Sequence, residues 1–198
     1  MKLLQILLLT VAFAATAYAQ QSPDALVKQV SQEVIEVLKQ DKELASGCQD
    51  KLLQLVEAKV LPHFDFQRMT RLTVGRHWNN ASAEQKEALQ GEFKNLLIRT
   101  YSAAFTGYQN QTVEVKPLRA EPKDSATVQT LVNRSGGKPI EVNYDLGKSG
   151  GGWKVYDVVI EGVSLVTNYR STFANEIKQG GIDGLIKALR EKAKTPNA

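Results

Sequence analysis

Two histidines, one cysteine and one pair of nearby carboxylates are where chemistry would first be sought in this chain of 198 residues. His63 and His77 both fall in the helical half. Neither has a second histidine or a cysteine at ligand spacing, so no metal site is expected. Each is expected to be a surface or hydrogen-bonded structural group. Asp157 and Glu161 lie four residues apart in a strand pattern, which separates them by about 13 Å. That is a poor match to a glycosidase pair. Asp157 is instead expected to accept hydrogen bonds from backbone or from an arginine near the strand end. Cys48 is the single cysteine, so no intramolecular disulfide can form. It is expected to act as a small, semi-buried apolar residue.

Two motifs begin well and fail. Gly147-Lys148-Ser149 ends like a phosphate-binding loop, but Val142 stands where the first glycine belongs and Trp153 opens a strand where a helix is required. Gly162-Val163-Ser164 starts like a nucleophile elbow, but Val166 replaces the closing glycine. No catalytic residue, metal ligand or cofactor is assigned.

What remains is apolar surface. Ile140, Val142, Tyr144 and Leu146 alternate with Glu141, Asn143 and Asp145, and Trp153 to Ile160 forms a further strand. Tyr101, Phe105, Tyr108, Tyr144, Trp153 and Tyr169 are compatible with two uses of that surface. One is the ordinary core of a half-buried sheet. The other is a ligand cavity, at whose mouth a tyrosine or tryptophan ring touches apolar matter while its polar atom meets water.

The elements that would position these residues follow from periodicity. Ser22-Pro23-Asp24 starts a helix, carried on by Val27, Val30, Val34 and Val37. A second helical pattern, Leu52 to Val60, stops at Pro62. A third runs from Asp65 to Val74, ended by Gly75. Ser82-Ala83-Glu84-Gln85 is a capping box opening a long helix to about Phe105. The period then changes from near 3.6 to 2, with strands around Val113–Val115, Val128–Val132, Ile140–Leu146 and Trp153–Ile160 joined by glycine-rich turns. Helical spacing returns at Val166, Tyr169, Phe173 and Ile177, breaks at Gly180-Gly181, and resumes at Ile182 to Leu189. The expected fold is α+β, with helices packed on one face of a curved antiparallel sheet of about four strands.

The ends and the charge narrow the class. Met1 to Ala19 has a basic n-region at Lys2, an apolar stretch from Leu3 to Ala15 and an Ala17-Tyr18-Ala19 cleavage signature, a signal peptide cut after about Ala19. Residues 20–198 then form one domain, helical over about 22–108, with the sheet and C-terminal helices over about 109–193. The net charge of +4 is mild and interspersed, and no basic stripe with interleaved aromatics points to nucleic acid. An exported chain without disulfides or anchor fits a bacterial periplasm.

Gly75-Arg76-His77-Trp78, Ala81 to Gln85, the helix ending in Thr100-Tyr101, Trp153 to Val158, Glu161 to Leu165 and Gly181 to Leu185 stand in an order that resembles the MlaC family, the toluene-tolerance Ttg-type proteins. The resemblance spans nearly the whole mature chain and is least distinctive over residues 115 to 150. It implies a monomeric periplasmic carrier that holds phospholipid acyl chains in an apolar cavity with the head group outside. It implies as partners an outer-membrane lipoprotein–porin complex and an inner-membrane MCE protein of an ABC transporter. Facing and family position together nominate Tyr101, Phe105, Val128, Val142, Tyr144, Val158, Val163, Leu165 and Tyr169 as lipid-lining residues. Strict alternation from Trp153 and Val155 would turn Val158 to the opposite face. Two rivals predict different interiors. A small-molecule enzyme on a cone-shaped α+β fold needs an acid–base pair inside. A periplasmic adaptor or chaperone needs a filled core and an external apolar patch.

Overall fold

The first helix, α1 (Pro23–Gln40), begins at Ser22 and buries Val27, Val34 and Leu38 along one stripe. The Ser22 side chain bonds to Asp24 rather than capping backbone, and this holds the Asp24 carboxyl below its ordinary range. These features belong to a computed structural model that describes residues 21–45, 48–102, 110–119, 123–134 and 136–194. The expected signal peptide, Phe105 and Tyr108 lie outside the described residues.

After α2 (Lys42–Ala45) and α3 (Gln49–Lys59), a 3₁₀ turn at Leu61–His63 delivers the chain to the edge of the sheet. Phe64 there forms a single parallel bridge with Val155, and the Asp65 N–H donates to the Val155 carbonyl at 2.8 Å. That contact covers part of a strand edge which would otherwise expose unpaired backbone. Asp65 then caps α4 (Phe66–Val74) by accepting from the Arg68 N–H at 2.9 Å, and Gly75 ends it. A second 3₁₀ turn, Gly75–Asn80, leads to α5 (Ala83–Ser102). The capping box closes reciprocally: the Gln85 N–H donates to Ser82 Oγ at 3.2 Å, and the Ser82 N–H donates to Gln85 Oε1 at 3.0 Å.

The sheet is an antiparallel meander of five strands in chain order: β1 (Thr112–Val115), β2 (Ser125–Asn133), β3 (Ile140–Ser149), β4 (Gly152–Ile160) and β5 (Val163–Ser164). The fifth strand exceeds the expected four. Glu161 and Gly162, both at positive φ (50° and 81°), make a two-residue turn that folds Val163 and Ser164 back along β4. The glutamate's strained backbone is held by its N–H to the Glu141 carbonyl (2.9 Å) and by its Oε1, which accepts the Glu141 N–H (2.8 Å).

The long helix α6 (Leu165–Lys194) is broken at Gly181, whose φ of 67° and ψ of −167° are not helical. Its two arms pack on α5 in opposite senses. In the first arm Tyr169 and Phe173 meet the ring of Phe93 at 5.3 and 5.0 Å. In the second, Asp183 accepts from Gln85 and Arg190 donates to Glu92, each at 2.8 Å. Only the break at Gly181 lets one chain lay both arms on one partner; a side chain at that φ would be strained.

Apolar side chains of α1, α4, α5 and α6 close on β2, β3 and β4 to form the main core, where Met69, Leu89, Phe93, Val128 and Leu146 have almost no exposed surface. A second cluster, Val34, Leu38, Leu44, Leu52 and Leu55, joins α1 to α2 and α3 away from the sheet.

Candidate lipid-binding site

Strand register decides which side chains share the helix-covered face. Three rows cross the sheet. Ala126 pairs with Leu146 and Leu146 with Val155. Val128 pairs with Tyr144 and Tyr144 with Val158. Val115 pairs with Thr130, Thr130 with Val142, Val142 with Ile160 and Ile160 with Val163.

Val158 therefore shares the face of Val155, against strict alternation. The register slips between Asp145 and Leu146, so β4 supplies one extra residue, Tyr156, at a bulge. A bulge inverts the alternation beyond it and bends the strand.

Packing is uneven along this face. At one end Leu146, Val155 and Trp153 are buried, as is Val128 in the middle row. Toward the other end Val142 and Ile160, with Tyr144 of the middle row, are only half-buried; Tyr101 at the end of α5 and Tyr169 at the start of α6 are half-buried too. Thr130 is fully buried there, its hydroxyl satisfied by the Val142 carbonyl at 2.6 Å. Tyr144 combines two properties: burial pushes its phenol up to about 12, yet part of its surface stays accessible.

The sequence-nominated residues separate on this basis. Tyr101, Val142, Tyr144 and Tyr169 are half-buried and pack against the main core, in which Val128, Val158 and Leu165 are buried. Val163 does not pack there; it ends its row at the sheet edge and is 55% exposed. Phe105 lies outside the described residues. Ile160 and Thr130 were missed from sequence. Each follows from the row that contains Val142, so pairing β4 with β3 would have found Ile160.

The hydrogen-bond and charge pattern elsewhere is structural. Asp157, buried, accepts from the N–H groups of Val158 and Val166 and from the Ser164 hydroxyl. Ser164 in turn caps α6 by accepting the Thr167 N–H at 3.0 Å. Gly147-Lys148-Ser149 ends β3 and leads into a hairpin. His63 sits beside Lys154, and burial together with that cation lowers its pKa. Lys154 itself donates to the Pro62 carbonyl. Two clefts open away from the sheet's inner face. One, of about 380 Å³, runs along Lys116 to Arg119; the other, of about 660 Å³, lies between α3, α5 and the end of α6.

These features define a class: an α+β domain whose helices cover the apolar inner face of a curved antiparallel sheet, with tyrosines at its loosely packed end. The chain belongs to the MlaC protein family, whose model matches residues 28–191. It is 27% identical over 186 residues to the intermembrane phospholipid transport system binding protein MlaC of Haemophilus influenzae, covering 91% of this chain and 86% of that protein. It is 28% identical over 180 residues to the toluene tolerance protein ttg2D of Pseudomonas putida, covering 90% and 83%. Among solved structures it is similar to the phospholipid-binding protein of Ralstonia solanacearum in complex with a phospholipid, with a TM-score of 0.82 and 40% identity over 87% of this chain and 97% of that one.

Proposed function

We propose that this protein is a periplasmic phospholipid carrier, delivered by the signal peptide of residues 1–19, that moves lipid between the outer and inner membranes. The observation that carries the reading is the loosely packed apolar end of the inner face, where Val142, Tyr144, Ile160, Tyr101 and Tyr169 keep accessible surface inside a well-formed fold. A relative with the same fold that binds a phospholipid supports it.

Val128, Val142, Tyr144, Val158 and Leu165 line the acyl-chain space, with Tyr101 and Tyr169 at its mouth and Val163 on the rim. Each methylene taken from water is worth about 0.8 kcal/mol, so release into bare water is prohibitive. Transfer from a bilayer into an apolar cavity nearly cancels that term. Small partner-induced changes can then load or unload the carrier. An outer-membrane lipoprotein–porin complex and the MCE protein of an inner-membrane ABC transporter are the proposed donor and acceptor. The phosphate stays outside, because burying its charge unpaired is expensive.

Native mass spectrometry and solvent extraction of protein purified from cells test the reading. Bound diacyl phospholipid is expected. Folded protein that carries none, and that takes none from vesicles, would overturn it.

A further inference from the structure

Charge is unevenly spread over this chain. Residues 66–80 and 165–180, which are α4, the 3₁₀ turn after it and the first arm of α6, hold five basic residues and one acidic one. The other 20 basic and 20 acidic residues balance, so these elements carry the whole net charge of +4. They are neighbours in space. Arg170 Nε on α6 donates to the Leu72 carbonyl in the last turn of α4 at 3.1 Å. Met69 and Val74 of α4 and Phe173 and Ile177 of α6 are buried in the one main core. Arg68 is held over the Tyr156 ring of the sheet. Arg71, Arg76, Arg170 and Lys178 are exposed, whereas Glu176 is half-buried.

Elsewhere cations are paired: Lys51 with Asp41 and Glu43, Lys59 with Glu33, Arg190 with Glu92. Among the described residues no carboxylate pairs with Arg71, Arg76, Arg170 or Lys178. Nor do α4 and α6 expose an apolar centre. Val163 is the one large apolar side chain exposed among the described residues, and it stands two positions before α6. A specific protein interface is built around a desolvated apolar core. Unpaired cations spread over a polar face fit instead a surface that is anionic throughout and needs no matched contacts. A bilayer with anionic head groups is such a surface. Arg170 directly follows Tyr169, which the carrier reading sets at the cavity mouth.

We propose that this face docks the protein on an anionic lipid surface, with Arg71, Arg76, Arg170 and Lys178 against lipid phosphates and the cavity mouth beside them. The docking stands on the charge pattern; its purpose, to bring the mouth to the bilayer, rests on the carrier reading.

Flotation of the full mature chain with vesicles of mixed phosphatidylglycerol and phosphatidylcholine, against phosphatidylcholine alone, tests it. At about 0.1 M salt, charges more than about 10 Å from the lipid are screened, so position matters as well as total charge. Wild type is expected to float with the anionic vesicles only. Arg71→Gln/Arg76→Gln/Lys178→Gln should weaken binding about 5-fold for each cation removed, with thermal unfolding unchanged. Lys28→Gln/Lys39→Gln/Lys138→Gln removes the same charge from exposed positions on α1 and in the β2–β3 turn, and should stay within about 2-fold of wild type. Equal losses in the two triple variants would show that net charge alone acts, and would overturn the proposal. So would wild type that ignores anionic vesicles, whatever acidic protein it binds. If the first triple variant does not fold, its three single variants decide, each expected to lose about 5-fold. Failure here leaves the carrier standing, since phospholipid bound on purification is measured separately; wild type that docks but never holds lipid overturns the carrier alone.

Discussion

The Ser164 hydroxyl donates to Asp157 Oδ2 at 2.5 Å, while Asp157 Oδ1 accepts the N–H of Val158 at 2.8 Å and of Val166 at 3.1 Å. One buried carboxylate thus ties the bulged strand β4 to the first turn of α6. It does so directly opposite Asp145 in the ladder, a like-charge pairing that costs stability unless each acid has its own donors. Asp145 takes the Thr127 hydroxyl at 2.6 Å. Asp157→Ala leaves two buried N–H groups without acceptors. A loss of about 3 kcal/mol is expected, read from the urea midpoint at unchanged slope; a loss below about 0.5 kcal/mol would show that water replaces the carboxylate.

Val142 and Leu165 test the apolar space differently. Val142 is half-buried at the loosely packed end, whereas Leu165 is 6% exposed. Val142→Asp should fold and lose most bound phospholipid, with far-ultraviolet circular dichroism unchanged. Leu165→Asp places an unpaired charge in the core and should also lower stability by about 3 kcal/mol or more. Full lipid content in folded Val142→Asp would remove that residue from the site.

Tyr144 gives a pH prediction. Its phenol titrates near 12 in the folded state, raised by burial, against about 10 in an unfolded chain. Between those values the unfolded state binds fewer protons, so stability is complete below pH 10 and falls as pH rises toward 12. Each unit is worth about 1.4 kcal/mol, and the partial exposure of the ring makes about 2 kcal/mol the expected loss. Near-ultraviolet absorbance titration of wild type against Tyr144→Phe isolates the group. A normal titration at Tyr144 would mean that its hydroxyl is in bulk water.

Gly147 is a packing requirement. A methyl group there would lie 2.1 Å from Arg68 Nη1, and that guanidinium rests 3.6 Å above the Tyr156 ring. Gly147→Ala should displace Arg68 and forfeit about 1 kcal/mol of cation–π attraction. In Arg68→Ala the same glycine change should cost nearly nothing, a coupling that a double-mutant cycle measures. Equal costs in both backgrounds would exonerate Arg68.

Much of this architecture is local and therefore legible. The capping box at Ser82, the stop at Gly75, the break at Gly181 and the hairpin after Ser149 are written in a few adjacent residues, because caps and turns are satisfied by neighbours in the chain. The inner face of β3, Val142 to Leu146, is equally plain, since a regular strand alternates with period 2.

What the residues could not declare by themselves is how separate segments meet. Val158 faces inward only because pairing with β3 forces the bulge at Tyr156. Asp157 finds its donors only where α6 begins beside it, and the Phe93 ring meets Tyr169 only because α5 and the first arm of α6 lie together. Sequence alone determined the longer helices and the first four strands, but neither α2 nor β5. Tertiary pairing decided which apolar side chains share a face and how tightly each end of it is filled, since both depend on contacts between residues far apart in the chain.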